Sequence, residues 1–158
     1  MFSIQRQSGQ IGADNRILAS VYNATGSTLA RGAVVQYLTD AAGVGADGFS
    51  VTTPTTNFLD LVAGVVADST QSGPGTTGIP TATAGFIVTY GVTPYATLYS
   101  AASNAPAVGD KLVPVAGQTY LQYAAAGDGR DGHFCCLSSY ASSTGTTSRN
   151  ISVFVRAM

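Results

Sequence analysis

An aspartate and a lysine stand side by side at Asp110 and Lys111 in the segment VGDKLVPV, and this lysine is the only one in the chain. A lysine does covalent chemistry only when a dry pocket or a second activating group lowers its pKa. Adjacent side chains on a strand point to opposite faces, so Asp110 is badly placed to serve Lys111. Gly109 and Asp110 are turn formers, glycine because it tolerates positive φ and aspartate because it bonds to its own backbone. The apolar run after them reads as a strand. The expectation is a corner that bends the backbone, with Gly109, Asp110, Lys111 and Leu112 in structural roles and no catalysis there.

Three other groupings invite chemistry. His133 is the sole histidine, and Cys135 lies two residues on, hence on the same face of a strand. A Cys–His nucleophile pair is conceivable, but no oxyanion loop or orienting group accompanies it, so structural roles are expected. GDGRDG (127–132) carries Asp128 and Asp131, yet calcium takes roughly six to eight oxygen ligands and the spacing of a calcium loop is absent. GVGADG (43–48) has the G-x-G-x-x-G spacing, which binds a dinucleotide only where a helix starts inside it. The residues after it, FSVTTPTT, are strand-like and broken at Pro54. No metal and no cofactor is expected, and the chain reads as a non-enzyme. The eight tyrosines and six phenylalanines suggest a carbohydrate platform, but most fall in strand patterns and are expected in the core, Tyr140 being the main exception.

Composition narrows the class. The chain has 158 residues, long enough for one domain with a core, and 45% of them are hydrophobic. Only 9% are charged, with no glutamate, against about 25% in an average globular protein. Net charge is −1 and the six arginines are scattered, so the basic stripe of a nucleic-acid binder is missing. No run approaches the ~18 apolar residues of a spanning helix, and the first residues lack the pattern of a secretory signal. Cys135 and Cys136 are adjacent and are expected as free thiols in a reducing cytoplasm. The sequons at Asn23 and Asn150 read as chance matches in a chain rich in Thr and Ser.

Strand patterns dominate. GFSVT (48–52), FIVTYGV (86–92) and ISVFVR (151–156) alternate with period two, the second placing Phe86, Val88, Tyr90 and Val92 on one side. LASVYN (18–23), AVVQYLT (33–39), LVAGVVA (61–67), KLVP (111–114), TYLQY (119–123) and HFCCL (133–137) are similar in content. YATLYSAAS (95–103) fits a helical face and an alternating strand, and its Thr, Tyr and Ser favour strand or irregular structure. Two loops are long, 68–84 and 138–149. The expected fold is all-β, a single small β-barrel or β-sandwich domain over 16–158, with an N-terminal arm over 1–15 and long Thr/Ser/Gly-rich loops. Exposed strand edges are normally guarded by charge. A chain this poor in charge must close its edges, cover them with the arm or pair them in an oligomer. A skin of Thr, Ser, Ala and Gly also suits contact with other protein, because small side chains forfeit little rotamer entropy.

The order of VYNATGSTLARGAVVQYLT (21–39), LVAGVVADS (61–69), GFIVTYGVTPY (85–95), APAVGDKLVPVAGQTY (105–120) and ISVFVRA (151–157) resembles the capsid decoration, or cement, proteins of tailed bacteriophages. In that group a β domain commonly carries a G-D-x-L turn and strand, matched by Gly109, Asp110 and Leu112. The shortage of Lys and Glu and the two long Thr-rich loops depart from the pattern. The resemblance implies a structural virion protein, made in the host cytoplasm and located on the outer capsid surface. It implies a homotrimer that binds the major capsid protein and bridges capsomers, without nucleic acid or membrane. Phe2, Ile4, Arg6, Ile11 and Arg16 are then the candidate capsid-contact residues, with Phe2 and Ile4 able to add a strand to a coat-protein sheet. The rival reading is a glycan- or receptor-binding β-sandwich of a phage tail or fibre, in which Tyr140 and the loop 138–149 matter.

Overall fold

The structure, a computed structural model, describes residues 16–38, 49–55, 62–67, 78–100, 105–124, 133–138 and 147–157. Among them there are eleven strands and no helix: β1 (Ile17–Asn23), β2 (Leu29–Ala30), β3 (Val34–Tyr37), β4 (Ser50–Thr52), β5 (Val62–Val66), β6 (Gly78–Ile79), β7 (Ala84–Ser100), β8 (Lys111–Pro114), β9 (Leu121–Tyr123), β10 (Phe134–Cys136) and β11 (Thr147–Arg156). The all-β class expected from the sequence is what the chain adopts, as a closed, barrel-like sheet.

Nine strands form one ladder in the order β1-β4-β3-β5-β7-β11-β10-β8-β9, and two more pairings, β1–β7 and β7–β9, close it on itself. The result is two five-stranded rings that share β7. The first contains β1, β4, β3, β5 and residues 84–90 of β7; the second contains residues 90–100 of β7 with β11, β10, β8 and β9. Val88 pairs with both Leu18 of β1 and Val65 of β5, so these strands lie on opposite edges of β7. Tyr90 likewise pairs with Ile17 and with Arg156, which sets β11 on the edge opposite β1. Each ring has one parallel pairing, β1 with β4 and β7 with β9, and is otherwise antiparallel.

Closure creates two cores. Ala19, Val21, Val35, Val51, Ala63, Val66 and Ile87 fill the first ring, and Leu29 of β2 with Ile79 of β6 pack with them. Leu98, Leu112, Leu121, Phe134, Ile151, Val153 and Val155 form the second core. Val34, Val65 and Val88 belong to that second core, although their strands belong to the first ring. The patch of β3, β5 and β7 is therefore a wall buried on both faces. This explains the unbroken apolar run VAGVV of β5, where alternation would be expected of a strand with one wet face.

β7 is one strand where the sequence suggested two segments. A β-bulge links them: Val153 pairs with Thr93 and Ile151 with Ala96, so Pro94 and Tyr95 oppose the single residue Ser152. Pro94 has no N–H to lose from the ladder, and it is exposed. Ser152 compensates elsewhere, its N–H donating to Ser138 Oγ (3.2 Å) and its carbonyl accepting from Leu137 N–H (2.9 Å). The extra residue reverses the parity of β7. Gly91 and Thr93 face the core before the bulge, and Ala96, Leu98 and Ser100 are buried after it.

Two expectations need correction. The stretch 68–84 is not all loop, because β6 lies within it and pairs with β2, while β11 begins at Thr147, inside the stretch 138–149. Most of the aromatics are not core. Phe134 is the one fully buried aromatic among the described residues, and Phe86, Tyr90 and Val92 point away from the interior while Ile87, Thr89 and Gly91 are buried. In rings this small the inward face is filled mostly by small and branched side chains, with Phe134 in the second core the exception, and the other aromatics lie outside or only half-buried.

Asn23 ties the two loops at one end of the first ring. Its side chain is fully buried, and Nδ2 donates to the carbonyls of Ser27 (2.9 Å), Ile79 (2.9 Å) and Pro80 (3.1 Å). Its Oδ1 accepts from the N–H (2.9 Å) and hydroxyl (2.6 Å) of Thr25. The sequon at Asn23 thus serves as a polar knot, with its amide nitrogen inaccessible to a glycosyl donor. Asn23→Ala strands several buried carbonyls, and a loss of about 2–4 kcal/mol is expected in urea unfolding. Asn23→Asp keeps the acceptor but removes the donors, so it should destabilise too; an unchanged midpoint in both variants would refute the knot.

Candidate interaction surface

The corner at Gly109 is a tight turn. Asp110 N–H donates to the Ala107 carbonyl (3.1 Å), Ala107 N–H donates to Asp110 Oδ2 (2.7 Å), and Gly109 takes φ of +93°. Two further bonds fasten the turn to β10, Gly109 N–H to Cys136 O (2.8 Å) and Cys136 N–H to Asp110 O (2.9 Å). The Asp110 carboxylate is thus engaged by backbone. Lys111 is exposed at the head of β8, and Leu112 is buried in the second core. The four residues share a corner of the second ring, and Asp110 and Lys111 are not brought together around a pocket.

The His133 ring is held at the end of β11. Its Nδ1 sits 3.1 Å from the carbonyl oxygen of Arg156, a contact that suits the Nδ1-protonated tautomer. Cys135 is half-buried and Cys136 buried, both free, and the Cys136 thiol donates to the Ser138 carbonyl at 3.0 Å. Burial pushes the Cys136 pKa above the ordinary thiol value, and the nearby Asp110 carboxylate adds to that rise. A raised pKa opposes the thiolate that a nucleophile needs. Among the described residues no three His, Cys, Asp or Glu side chains gather as a metal site.

Of the predicted capsid-contact residues, Arg16 is half-buried and directly precedes β1. Phe2, Ile4, Arg6 and Ile11 lie outside the described residues, as do Asp128, Asp131, Tyr140 and the loop 43–48.

The outer faces carry aromatic groups that the strand patterns assigned to the core. Tyr99 stacks on Tyr120 with ring centres 5.0 Å apart, and the Arg31 guanidinium lies 3.9 Å above the Tyr95 ring. Tyr95, Thr97 and Tyr99 are the outward side of β7 beyond the bulge, all half-buried. The turn at Arg31–Gly32 reaches them because Gly32 O accepts from Thr97 N–H (2.9 Å). Gly32 has φ of +85°, and a Cβ there would collide with the Tyr95 carbonyl, so only glycine lets the backbones meet. A second pair, Tyr90 and Phe154, meets edge to face at 5.2 Å on the outside of β7 and β11. Tyr22 and Phe49 form a third, at 6.5 Å, beside the first ring. The signal that could have revealed these positions is the run of small residues on the opposite face, Gly91 and Thr93 in β7 and Ala19 in β1.

No protein-family model matches this sequence, and no curated protein matches it.

Because folded Cys136 keeps its proton to higher pH than the unfolded thiol, stability from this group is whole below the unfolded value, about 8.5. It is lost as pH rises through the folded value. Urea midpoints should therefore fall from pH 8 upward, and Cys136→Ala should flatten the first part of that fall. Tyr37, whose pKa burial also raises, adds a loss of the same sign at higher pH. Iodoacetamide at neutral pH should label Cys135 and spare Cys136, as read by mass spectrometry of peptides; equal labelling would show that Cys136 is not sequestered.

Proposed function

We propose that this chain is a structural protein of a bacteriophage virion, bound to the outer capsid surface as a homotrimer, where it contacts the major capsid protein and stabilises the head by bridging capsomers. The observation that carries this reading is the character of its outer face. A closed sheet has no free edge to protect with charge, yet the exterior pairs Tyr with Tyr, Tyr with Phe and Arg with Tyr, and offers few ions to water. Tyrosine and arginine are the residues enriched at protein contacts, and lysine and glutamate the depleted ones. The order of strand and turn segments, the G-D-x-L corner included, resembles that of decoration proteins and supports the same reading. Trimerisation multiplies weak contacts, since one bound subunit raises the local concentration of the others. In this reading the protein has no catalytic role.

A second reading draws on Arg31, Tyr95, Tyr99 and Tyr120. Their outward strip has the aromatic content of a sugar-stacking surface, which would suit a receptor-binding module of a tail or fibre.

Sedimentation of the native protein should give the mass of three chains, and the protein should co-sediment with capsids that lack it. Deleting residues 1–12 should weaken that attachment and leave the melting temperature unchanged. A monomer that ignores capsids even at low salt overturns the proposal, and selective glycan-array binding by such a monomer would favour the second reading.

A further inference from the structure

Tyr90 is the residue at which the two rings meet, and its row has a composition of its own. Directly opposed residues of antiparallel strands point to the same face. Ile17, Tyr90 and Arg156 therefore share one face of the sheet, and the pair Val92 and Phe154 shares it one step along. Tyr90 is 37% exposed, Arg156 is exposed, and Ile17, Val92 and Phe154 are half-buried. The patch is apolar and aromatic with a guanidinium at its margin. Asp110, the sole carboxylate among residues with described side chains, is held by the Ala107 amide at the 107–110 turn.

The chain also leaves the sheet here at both ends. Residues 1–15 continue from Arg16, one residue before Ile17, and Ala157 follows Arg156. In the capsid-binding reading, a shell that holds the residues before Arg16 keeps this face at high effective concentration against the same partner. The other outward aromatic groups lack this position. The Tyr99–Tyr120 stack and the Arg31–Tyr95 pair lie beyond the bulge, several residues along β7.

We infer that the face formed by Ile17, Tyr90, Val92, Phe154 and Arg156 is a contact surface for the coat protein, and that the coat protein presents to it an apolar surface flanked by a carboxylate. This rests on the capsid-binding reading above and adds a site to it. The arm fixes the subunit to the shell, and this face seats it. The Arg156 guanidinium meets a carboxylate, and Tyr90 supplies apolar area with little entropy to lose.

The test uses the full-length protein and capsids assembled without it. Arg156→Glu changes an exposed side chain and should melt like the parent, Tyr90→Ser gives up the contact with Phe154 and should melt slightly lower, and each should bind capsids roughly tenfold more weakly. A photoreactive phenylalanine in place of Val92 should crosslink to the coat protein on illumination. This readout decides the matter even where one of the other variants fails to fold. Variants that bind as tightly as the parent overturn this inference alone. A crosslink to a second copy of the chain, or none while capsid binding persists, also overturns it alone. A parent that does not bind capsids removes the capsid-binding reading and this inference with it.

Discussion

Everything in this fold depends on β7, which is paired along most of one edge and on the other by β1 over residues 84–90 and by β9 at Leu98. A strand of seventeen residues offers a long row of backbone donors and acceptors, and an unfilled row invites other chains. Here β5 and then β11 occupy one edge, while β1 and then β9 occupy the other. The neighbours on the first half belong to one ring and those on the second half to the other. Neither ring can open without baring half of the strand that the other ring needs. Two small cores, each marginal for its size, are joined into one cooperative unit by a shared backbone.

The same arrangement accounts for the composition. A wall buried on both faces has no use for polar side chains, so β5 is purely valine, alanine and glycine and β3 opens on two valines. The ring interiors take mostly small and branched groups, Phe134 apart, and most tyrosines and phenylalanines are left to the outside. Once closure has removed the free edges, charge is no longer needed to guard them. The surface is then free to be chosen for contact, which is the link between an unusual composition and the capsid-binding role proposed here.

Much of the fold was legible in the chain. The runs around Leu18, Val34, Val62, Leu112, Phe134 and Val153 are strands near the places their residue types suggest, and Gly109–Asp110 behaves as turn chemistry requires. What was hidden depended on partners distant in sequence. FIVTYGV alternates cleanly, but alternation does not say which side is wet, and the answer came from a ring too narrow for Phe86 or Tyr90. The mixed helix-and-strand pattern of YATLYSAAS arose from a bulge set against Ser152, in the last strand of the chain. Asn23 read as a chance sequon match, and its role as a polar knot was hidden because its carbonyl partners, Ile79 and Pro80, are invisible from a local window. The row Ile17, Tyr90 and Arg156 exists only through register, and single-sequence patterns carry no register. β2 and β6, two residues each, are too short to leave any periodicity.

The order in which the strands appear along the chain has a consequence for synthesis. Every strand segment of the first ring lies at or before Tyr90, so that ring can assemble while translation continues. The outer side of its wall, with Val34, Val65 and Val88, stays bare until the second ring arrives. The strand that completes that ring, β11, emerges after all the others in it. A nascent chain therefore carries an uncovered apolar flank until β11 has emerged, and a chain cut short before β11 is a half-built particle primed to stick to its neighbours.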